Sequence, residues 1–125
     1  MREKVIGILG GMGPEATLNL FEKIIQYTST SKDQDHLRVI IDNNPKIPDR
    51  TQAIFGLGEN PVPMMVQSGL ALSKAGADFL IIPCVSAHHY LEELRRQIGL
   101  PIMSILDETA NFLVIKFPEI KKIGI

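Results

Sequence analysis

Short apolar runs alternate along the chain with longer stretches whose apolar residues recur at helical spacing. Residues 5–9, 38–42, 79–82 and 101–105 have the length and composition of buried strands. The stretches between and after these runs place apolar and small residues three or four positions apart, as in helices that pack one face on a sheet. The residues that carry this spacing are Thr17, Leu20, Phe21, Ile24, Ile25, Thr28, Val62, Val66, Gly69, Leu70, Ser73, Leu91, Leu94, Ile98, Thr109, Phe112, Leu113 and Phe117. The alternation predicts an α/β fold with a mainly parallel sheet of about four strands and helices on both faces.

Three loops that leave predicted strands carry residues suited to binding or catalysis. The first, residues 10–13, contains three glycines before Pro14 and suits a sharp turn into a helix. The second, residues 43–51, contains two asparagines and two prolines, and we expect no regular structure in it. The third, residues 83–88, contains the only cysteine. Because ligands of open parallel sheets bind at the carboxyl ends of the strands, we expect the three loops to form one site.

Cys84 is the candidate acid or base of this site. It follows the third predicted strand and precedes a helix that we expect to begin near Ala87, and helix N-termini stabilise thiolates. We expect its sulfur to be exposed and to lie near the guanidinium of Arg50, which can hold a carboxylate through two hydrogen bonds. A lone cysteine is equally consistent with a small buried hydrophobic residue, and Arg50 with a surface charge.

Other chemistries find little support. The glycine loop lacks the third glycine of the dinucleotide-binding pattern, because Pro14, Glu15 and Ala16 follow it. His88 and His89 are adjacent and would point in different directions on a helix, so we predict no metal site. A single cysteine also excludes an intrachain disulfide.

Composition narrows the class of protein. The chain has 125 residues and a net charge of −1, so it offers no electrostatic basis for binding nucleic acid or an anionic membrane. No apolar run approaches the roughly 20 residues that span a bilayer, and the first residues leave no room for a secretory signal. We therefore expect a cytoplasmic protein.

The end of the chain repeats its beginning. Residues 122–125 have the pattern of residues 4–8, where the first strand is predicted. We interpret residues 1–118 as one domain and residues 119–125 as the start of the first strand of a second, related domain. The intact mass of the protein from its native host would test this interpretation.

Three motifs together resemble the aspartate/glutamate racemase family. They are residues 6–17 (IGILGGMGPEAT), residues 43–51 (NNPKIPDRT) and residues 83–88 (PCVSAH). The motifs, their spacing and their order match over essentially the whole chain, and the combination is much more specific than any one of them.

The resemblance implies two similar α/β domains with the active site between them, and usually a homodimer. It implies an enzyme that racemises aspartate, or a close relative such as glutamate, without pyridoxal phosphate or metal. One cysteine from each domain would flank the substrate α-carbon, and Cys84 matches the first of them. Arg50 matches an arginine that binds a substrate carboxylate. The matched substrate-binding loops contain Met12, Gly13, Asn44, Val85, Ser86 and Ala87.

One departure from the family pattern bears on substrate choice. Family members commonly carry Asn and then Thr after this cysteine, whereas this chain has Val85 and Ser86. Two alternatives stay open at this point. The loops could form a non-catalytic module that binds a small anion or a mononucleotide, or the chain could belong to a single-thiol isomerase or decarboxylase.

Overall fold

The computed structural model describes residues 2–124, so Met1 and Ile125 lie outside the described residues. Within this range the strands are β1 (Ile6–Gly10), β2 (Val39–Asn43), β3 (Phe79–Ile81) and β4 (Ile102–Met103). The α-helices are α1 (Pro14–Tyr27), α2 (Arg50–Ile54), α3 (Val62–Lys74), α4 (Leu91–Ile98) and α5 (Ile105–Lys116). Two short 3₁₀ helices span Asp33–Asp35 and Ser86–Tyr90.

The strands form one parallel sheet in the order β2-β1-β3-β4. The chain goes from β1 to β2 on one side and then crosses to β3 on the other side, so the direction of winding reverses at β1. The carboxyl ends of β1 and β3 therefore flank a switch point, which is where such sheets form a ligand crevice. The predicted α/β fold with a parallel sheet is confirmed.

Helices cover both faces of the sheet, as two glycines of β1 make clear. A Cβ atom at Gly10 would lie 2.5 Å from the Thr17 hydroxyl oxygen, so α1 approaches that face closely. A Cβ atom at Gly7 would lie 2.9 Å from the Ala77 Cβ, on the side where α3 and α4 pack. Residues three apart in a strand point to opposite faces, so α1 lies on one face and α3 and α4 on the other.

The hydrophobic core lies on the α3 and α4 side of the sheet. Removal of its apolar side chains from water is the main force that assembles the fold. Its buried members are Leu9, Met12, Ile47, Val62, Met65, Leu72, Ala77, Leu80, Ile82, Cys84, Ala87, Leu91, Leu94, Ile98 and Ile102. Met12, Ile47, Cys84 and Ala87 come from the three predicted site loops, so those loops share the core.

Two local predictions are wrong. Residues 50–51 are helical, because the Asp49 side chain accepts a hydrogen bond of 2.8 Å from the Gln52 amide and caps α2. The fourth strand ends at Met103 and not at residue 105, because the Ser104 side chain accepts from the Asp107 amide and starts α5. In both places a capping side chain overrides the surrounding apolar or loop-like pattern.

Helices α1 and α5 bury fewer side chains than the spacing of their apolar residues predicts. Thr17 is the only buried residue of α1, and α5 has none. Phe112 and Phe117, expected to line a packed helix face, are exposed.

Residues 117–124 contain no strand, and Ile125 lies outside the described residues. The boundary at residue 118 and the second domain therefore stay predictions. Across residues 2–124, none of the helices combines the length and apolar character needed to cross a membrane.

Candidate active site

The glycine loop and the β2–α2 loop are in direct contact. The Asn44 amide donates a hydrogen bond of 3.1 Å to the Gly10 carbonyl. Gly11 has a φ angle of +98°, and a Cβ atom there would lie 2.3 Å from the Asn44 carbonyl carbon. Glycine is therefore required at position 11 both by its backbone angle and by the close approach of the neighbouring loop.

Thr17 of α1 holds the glycine loop from inside. Its buried hydroxyl accepts a hydrogen bond of 2.9 Å from the Gly11 amide and lies 3.3 Å from the Gly13 carbonyl, to which it donates. The Met12 side chain is buried in the core, whereas Gly13 is exposed at the N-cap of α1. Of these two predicted substrate-binding residues, Gly13 is the one that the loop presents to solvent.

Arg50 begins α2, which lies against the 3₁₀ helix Ser86–Tyr90. Its Nη1 donates to the carbonyls of Pro48 at 3.1 Å and Ile47 at 3.4 Å, so its own loop holds this nitrogen. The Nε atom is buried and has no hydrogen-bond partner among the described residues. The expected proximity of the guanidinium to the Cys84 sulfur stays a prediction, although the two loops are neighbours.

Cys84 is less accessible than the sequence suggests. Its exposed fraction is 9%, and it belongs to the core, so the expectation of an exposed sulfur is wrong. The residue nevertheless borders a surface depression, and its Sγ lies 3.4 Å from the Ser86 hydroxyl. The other residues that line the depression are Ala16, Asn19, Leu20, Pro83, Val85 and Ile105.

The segment after Cys84 also differs from the expected helix start. Residues 86–90 form a 3₁₀ helix, and the α-helix begins only at Leu91. The Ser86 hydroxyl, and not the N-terminus of a long α-helix, is therefore the polar group recorded beside the sulfur. Val85 is 64% exposed, whereas the whole of Ala87 is buried, so of these two predicted substrate-binding residues only Val85 reaches the surface.

His88 joins the Cys84 loop to α5. The imidazole is buried, with Nδ1 at 2.8 Å from the Cys84 carbonyl oxygen and Nε2 at 3.0 Å from the Ile105 amide nitrogen. Sequence analysis weighed this residue only as a metal ligand. Within residues 2–124, no group of three or more His, Cys, Asp or Glu side chains is placed to hold a metal ion.

Sequence analysis also missed the α1 residues beside Cys84. Ala16, Asn19 and Leu20 recur three and four positions apart, and this spacing places them on one face of the helix. The same spacing in the sequence could have identified a second face of α1, next to the face assigned to the sheet.

Comparisons with known proteins identify the family of the chain. The family model described as Asp/Glu/Hydantoin racemase matches residues 9–125. A broad specificity amino-acid racemase, RacX of Bacillus subtilis strain 168, is 31% identical over 111 residues, which are 84% of this chain and 47% of RacX.

Two solved structures share the fold. The aspartate racemase of Picrophilus torridus superposes with a TM-score of 0.83 at 35% identity, over 91% of this chain and 48% of that protein. An aspartate racemase homologue from Pyrococcus horikoshii OT3 has a TM-score of 0.73 at 22% identity, over 93% of this chain and 50% of that protein. The chain therefore spans about half the length of these relatives. The family model covers nearly all of it, and the chain belongs to the Asp/Glu/hydantoin racemase family.

Proposed function

We propose that the natural protein containing this chain is a cofactor-independent amino-acid racemase that interconverts L- and D-aspartate, or a close relative such as glutamate. The observation that carries the proposal is the placement of Cys84. In a chain of this family, a thiol borders a surface depression beside the switch point of the sheet, with a hydroxyl at 3.4 Å from its sulfur.

The proposed reaction uses two thiols on opposite faces of the α-carbon. The Cys84 thiolate takes the α-hydrogen as a proton, and the electron pair of the broken C–H bond moves onto the α-carbon and its carboxylate. A second thiol then returns a proton from the opposite face, which inverts the centre. We propose that this second thiol belongs to a second domain, since the relatives are about twice the length of this chain.

The difficult step is the formation of the carbanion, because an amino-acid α-proton is only very weakly acidic. Donors fixed in advance around the carboxylate lower this barrier most effectively. We propose that Arg50 holds a substrate carboxylate and that the loops carrying Met12, Gly13 and Asn44 bind the substrate. Support comes from the contact between the glycine loop and Asn44 and from the packing of α2 on the segment after Cys84.

The residues after Cys84 are proposed to set substrate choice. Val85, Ser86 and Ala87 follow the thiol directly, and Val85 exposes an apolar side chain where an amide is common in the family. An apolar group cannot hydrogen-bond a substrate, so we expect acceptance of aspartate to depend on other donors. We also propose a homodimer, as in the family at large.

The decisive experiment follows the α-proton. The natural protein, free of pyridoxal phosphate and treated with a chelator, is incubated with L-aspartate in heavy water. We expect D-aspartate that carries deuterium at the α-carbon, measured by chiral chromatography and mass spectrometry. Parallel reactions with L-glutamate compare the two substrates.

The variant Cys84→Ala tests whether Cys84 is the base of the reaction. We expect at least about a thousandfold loss of rate, because a base that contacts the reacting proton is removed. An unchanged rate in this variant would remove Cys84 from the reaction. Absence of both deuterium and inversion with every amino acid tried would overturn the racemase proposal.

A further inference from the structure

We propose that His88 is a positioning residue of this site, which holds the Cys84 peptide against the first residue of α5. The inference rests on the proposed racemase function, and it assigns a role to a side chain that does not itself touch the reacting atoms. Its basis is the pair of short contacts that the buried imidazole makes, to the Cys84 carbonyl at 2.8 Å and to the Ile105 amide at 3.0 Å.

The two contacts fix the protonation of the ring. A backbone amide only donates, so Nε2 must accept from Ile105 and carry no hydrogen. A carbonyl only accepts, so Nδ1 must carry the hydrogen and donate to Cys84. His88 is therefore a neutral imidazole with its hydrogen on Nδ1, and both of its nitrogens are used.

The bond to Cys84 controls where the sulfur and its partner lie. The carbonyl that His88 holds belongs to the peptide between Cys84 and Val85, so its direction sets the course of the chain into Ser86. The Ser86 hydroxyl stands 3.4 Å from the sulfur and depends on that course. A shift of about 1 Å in a reacting group can cost on the order of a hundredfold in rate.

The bond to Ile105 ties this arrangement to α5. Ile105 lines the depression at Cys84 and is the first residue of α5. The helix has no buried residue of its own, and its start is held by the Ser104 cap and by His88. The imidazole thus fixes one wall of the depression relative to the thiol.

Two conservative variants separate the two bonds. In His88→Asn, the side-chain nitrogen can take the place of Nδ1 and donate to the Cys84 carbonyl, while the Ile105 contact is lost. In His88→Gln, the side-chain oxygen can take the place of Nε2 and accept from Ile105, while the Cys84 contact is lost. His89→Asn and His89→Gln are matched controls, because His89 is adjacent and exposed.

The measurements use the natural protein. With correctly folded variants, we expect kcat to fall roughly tenfold or more in His88→Gln and less in His88→Asn, with KM changed less than about twofold. The His89 variants should match the wild type. The rate at which iodoacetamide alkylates Cys84, measured by peptide mass spectrometry, should change more in His88→Gln than in His88→Asn. A purely structural role would lower the thermal midpoint of both His88 variants without this order in kcat.

The outcomes separate the inference from the proposed function. Equal kcat and equal alkylation rates in the His88 and His89 variants would overturn the positioning role while racemisation stands. If the wild type shows no racemisation, the proposed function fails, and the alkylation order alone decides the role of His88. If neither His88 variant folds, nitrogen NMR of the wild type decides, since a hydrogen on Nε2 would contradict the inference.

Discussion

Cys84 is only 9% exposed and belongs to the hydrophobic core, yet the proposed reaction requires its sulfur to become an anion. An anion in such surroundings is costly unless a donor is directed at it. The Ser86 hydroxyl is suited to this task, because it lies 3.4 Å from the sulfur and can donate a hydrogen bond to a thiolate. At the residue scale, we therefore propose that Cys84 and Ser86 act together in the reaction.

Removing the Ser86 hydroxyl should therefore slow the reaction. For Ser86→Ala in the natural protein we expect kcat to fall about tenfold, since a hydrogen bond to a charged group contributes about 1.5–3 kcal/mol. Ser86→Thr retains a hydroxyl and should retain most of the rate. Steady-state kinetics with both enantiomers would check the prediction, and equal rates in the Ala and Thr variants would contradict it.

A second residue-scale prediction concerns pH and Asp78. Arg2 donates two hydrogen bonds to the carboxylate of Asp78, at 2.9 and 2.5 Å, and the Val5 amide donates a third at 2.7 Å. The Arg2 hydrogen bonds, helped by Val5, hold the pKa of Asp78 below its ordinary value. Because the folded-state pKa is lower than the unfolded-state pKa, this carboxylate stabilises the fold above the unfolded value of about 3.9. The contribution disappears as the pH falls through the lowered folded-state value.

Urea unfolding of the wild type and Asp78→Asn measures this effect. We expect the variant to be less stable at pH 7, and the difference in free energy of unfolding to shrink as the pH is lowered below about 4. Glu3→Gln, on the same N-terminal segment, is the control and should show a smaller difference. A difference in free energy of unfolding between the wild type and Asp78→Asn that stays constant from pH 7 to pH 2 would count against the prediction.

Residue types at the site were predictable from the sequence, but their orientations were not. The apolar run 79–82, which stops before Pro83 and is followed by the only cysteine, places Cys84 at the carboxyl edge of the sheet, and β3 does end there, at Ile81. Its burial comes with its membership of the hydrophobic core, whose other residues are mostly distant in sequence. The engagement of Arg50 with the Pro48 carbonyl depends on the path of its own loop, which composition does not specify.

At the scale of the element, the glycine loop depends on the loop that follows β2. Gly11 and Gly76 have nearly equal φ angles, +98° and +102°. They differ in their surroundings, because a Cβ atom at Gly76 would have no neighbour within 4 Å, whereas one at Gly11 would meet the Asn44 backbone at 2.3–2.5 Å. A substitution at Gly76 therefore introduces backbone strain alone, whereas one at Gly11 introduces both backbone strain and steric overlap.

Alanine at each position should reveal that difference. Gly76→Ala should lower the free energy of unfolding by about 1–2 kcal/mol, the cost of a left-handed backbone in an L-residue. Gly11→Ala should cost about 1–3 kcal/mol more, because the Asn44 backbone must also move. Equal decreases in the free energy of unfolding of the two variants, measured in urea, would contradict a steric overlap between residue 11 and the Asn44 backbone.

Element types were predicted better than element ends. The apolar runs and helical spacing identify the strands and the long helices, because period and length distinguish them. The ends depend on single side chains such as Asp49 and Ser104, whose capping hydrogen bonds are visible only in three dimensions. The sequence also did not predict that α5 is exposed. The spacing of apolar residues indicates that a helix has an apolar face, but it does not say whether another part of the protein covers that face.

At the scale of the whole molecule, we propose that the described chain supplies one wall of the site. The depression beside Cys84 is open to the surface, and Val85 and Ile105 are among the residues that line it. A thiol on one wall reaches one face of a bound α-carbon. The relatives, about twice as long, have room for the other wall. The motifs indicated the family correctly, while the second domain stays a prediction.

The proposed two-thiol reaction makes a sharp prediction for the 125-residue chain by itself. With one base it can remove and return a proton on one face only, so inversion cannot be completed. We expect the isolated chain to form no D-aspartate, and at most to exchange the α-proton of one enantiomer slowly with heavy water. Proton NMR measures the exchange and chiral chromatography the inversion, with Cys84→Ala as the blank for both. The natural protein, assayed alongside, should show exchange and inversion together. Inversion by the isolated chain at a rate similar to that of the natural protein would mean that both bases lie within these residues, and the two-thiol scheme with a second domain would then fail.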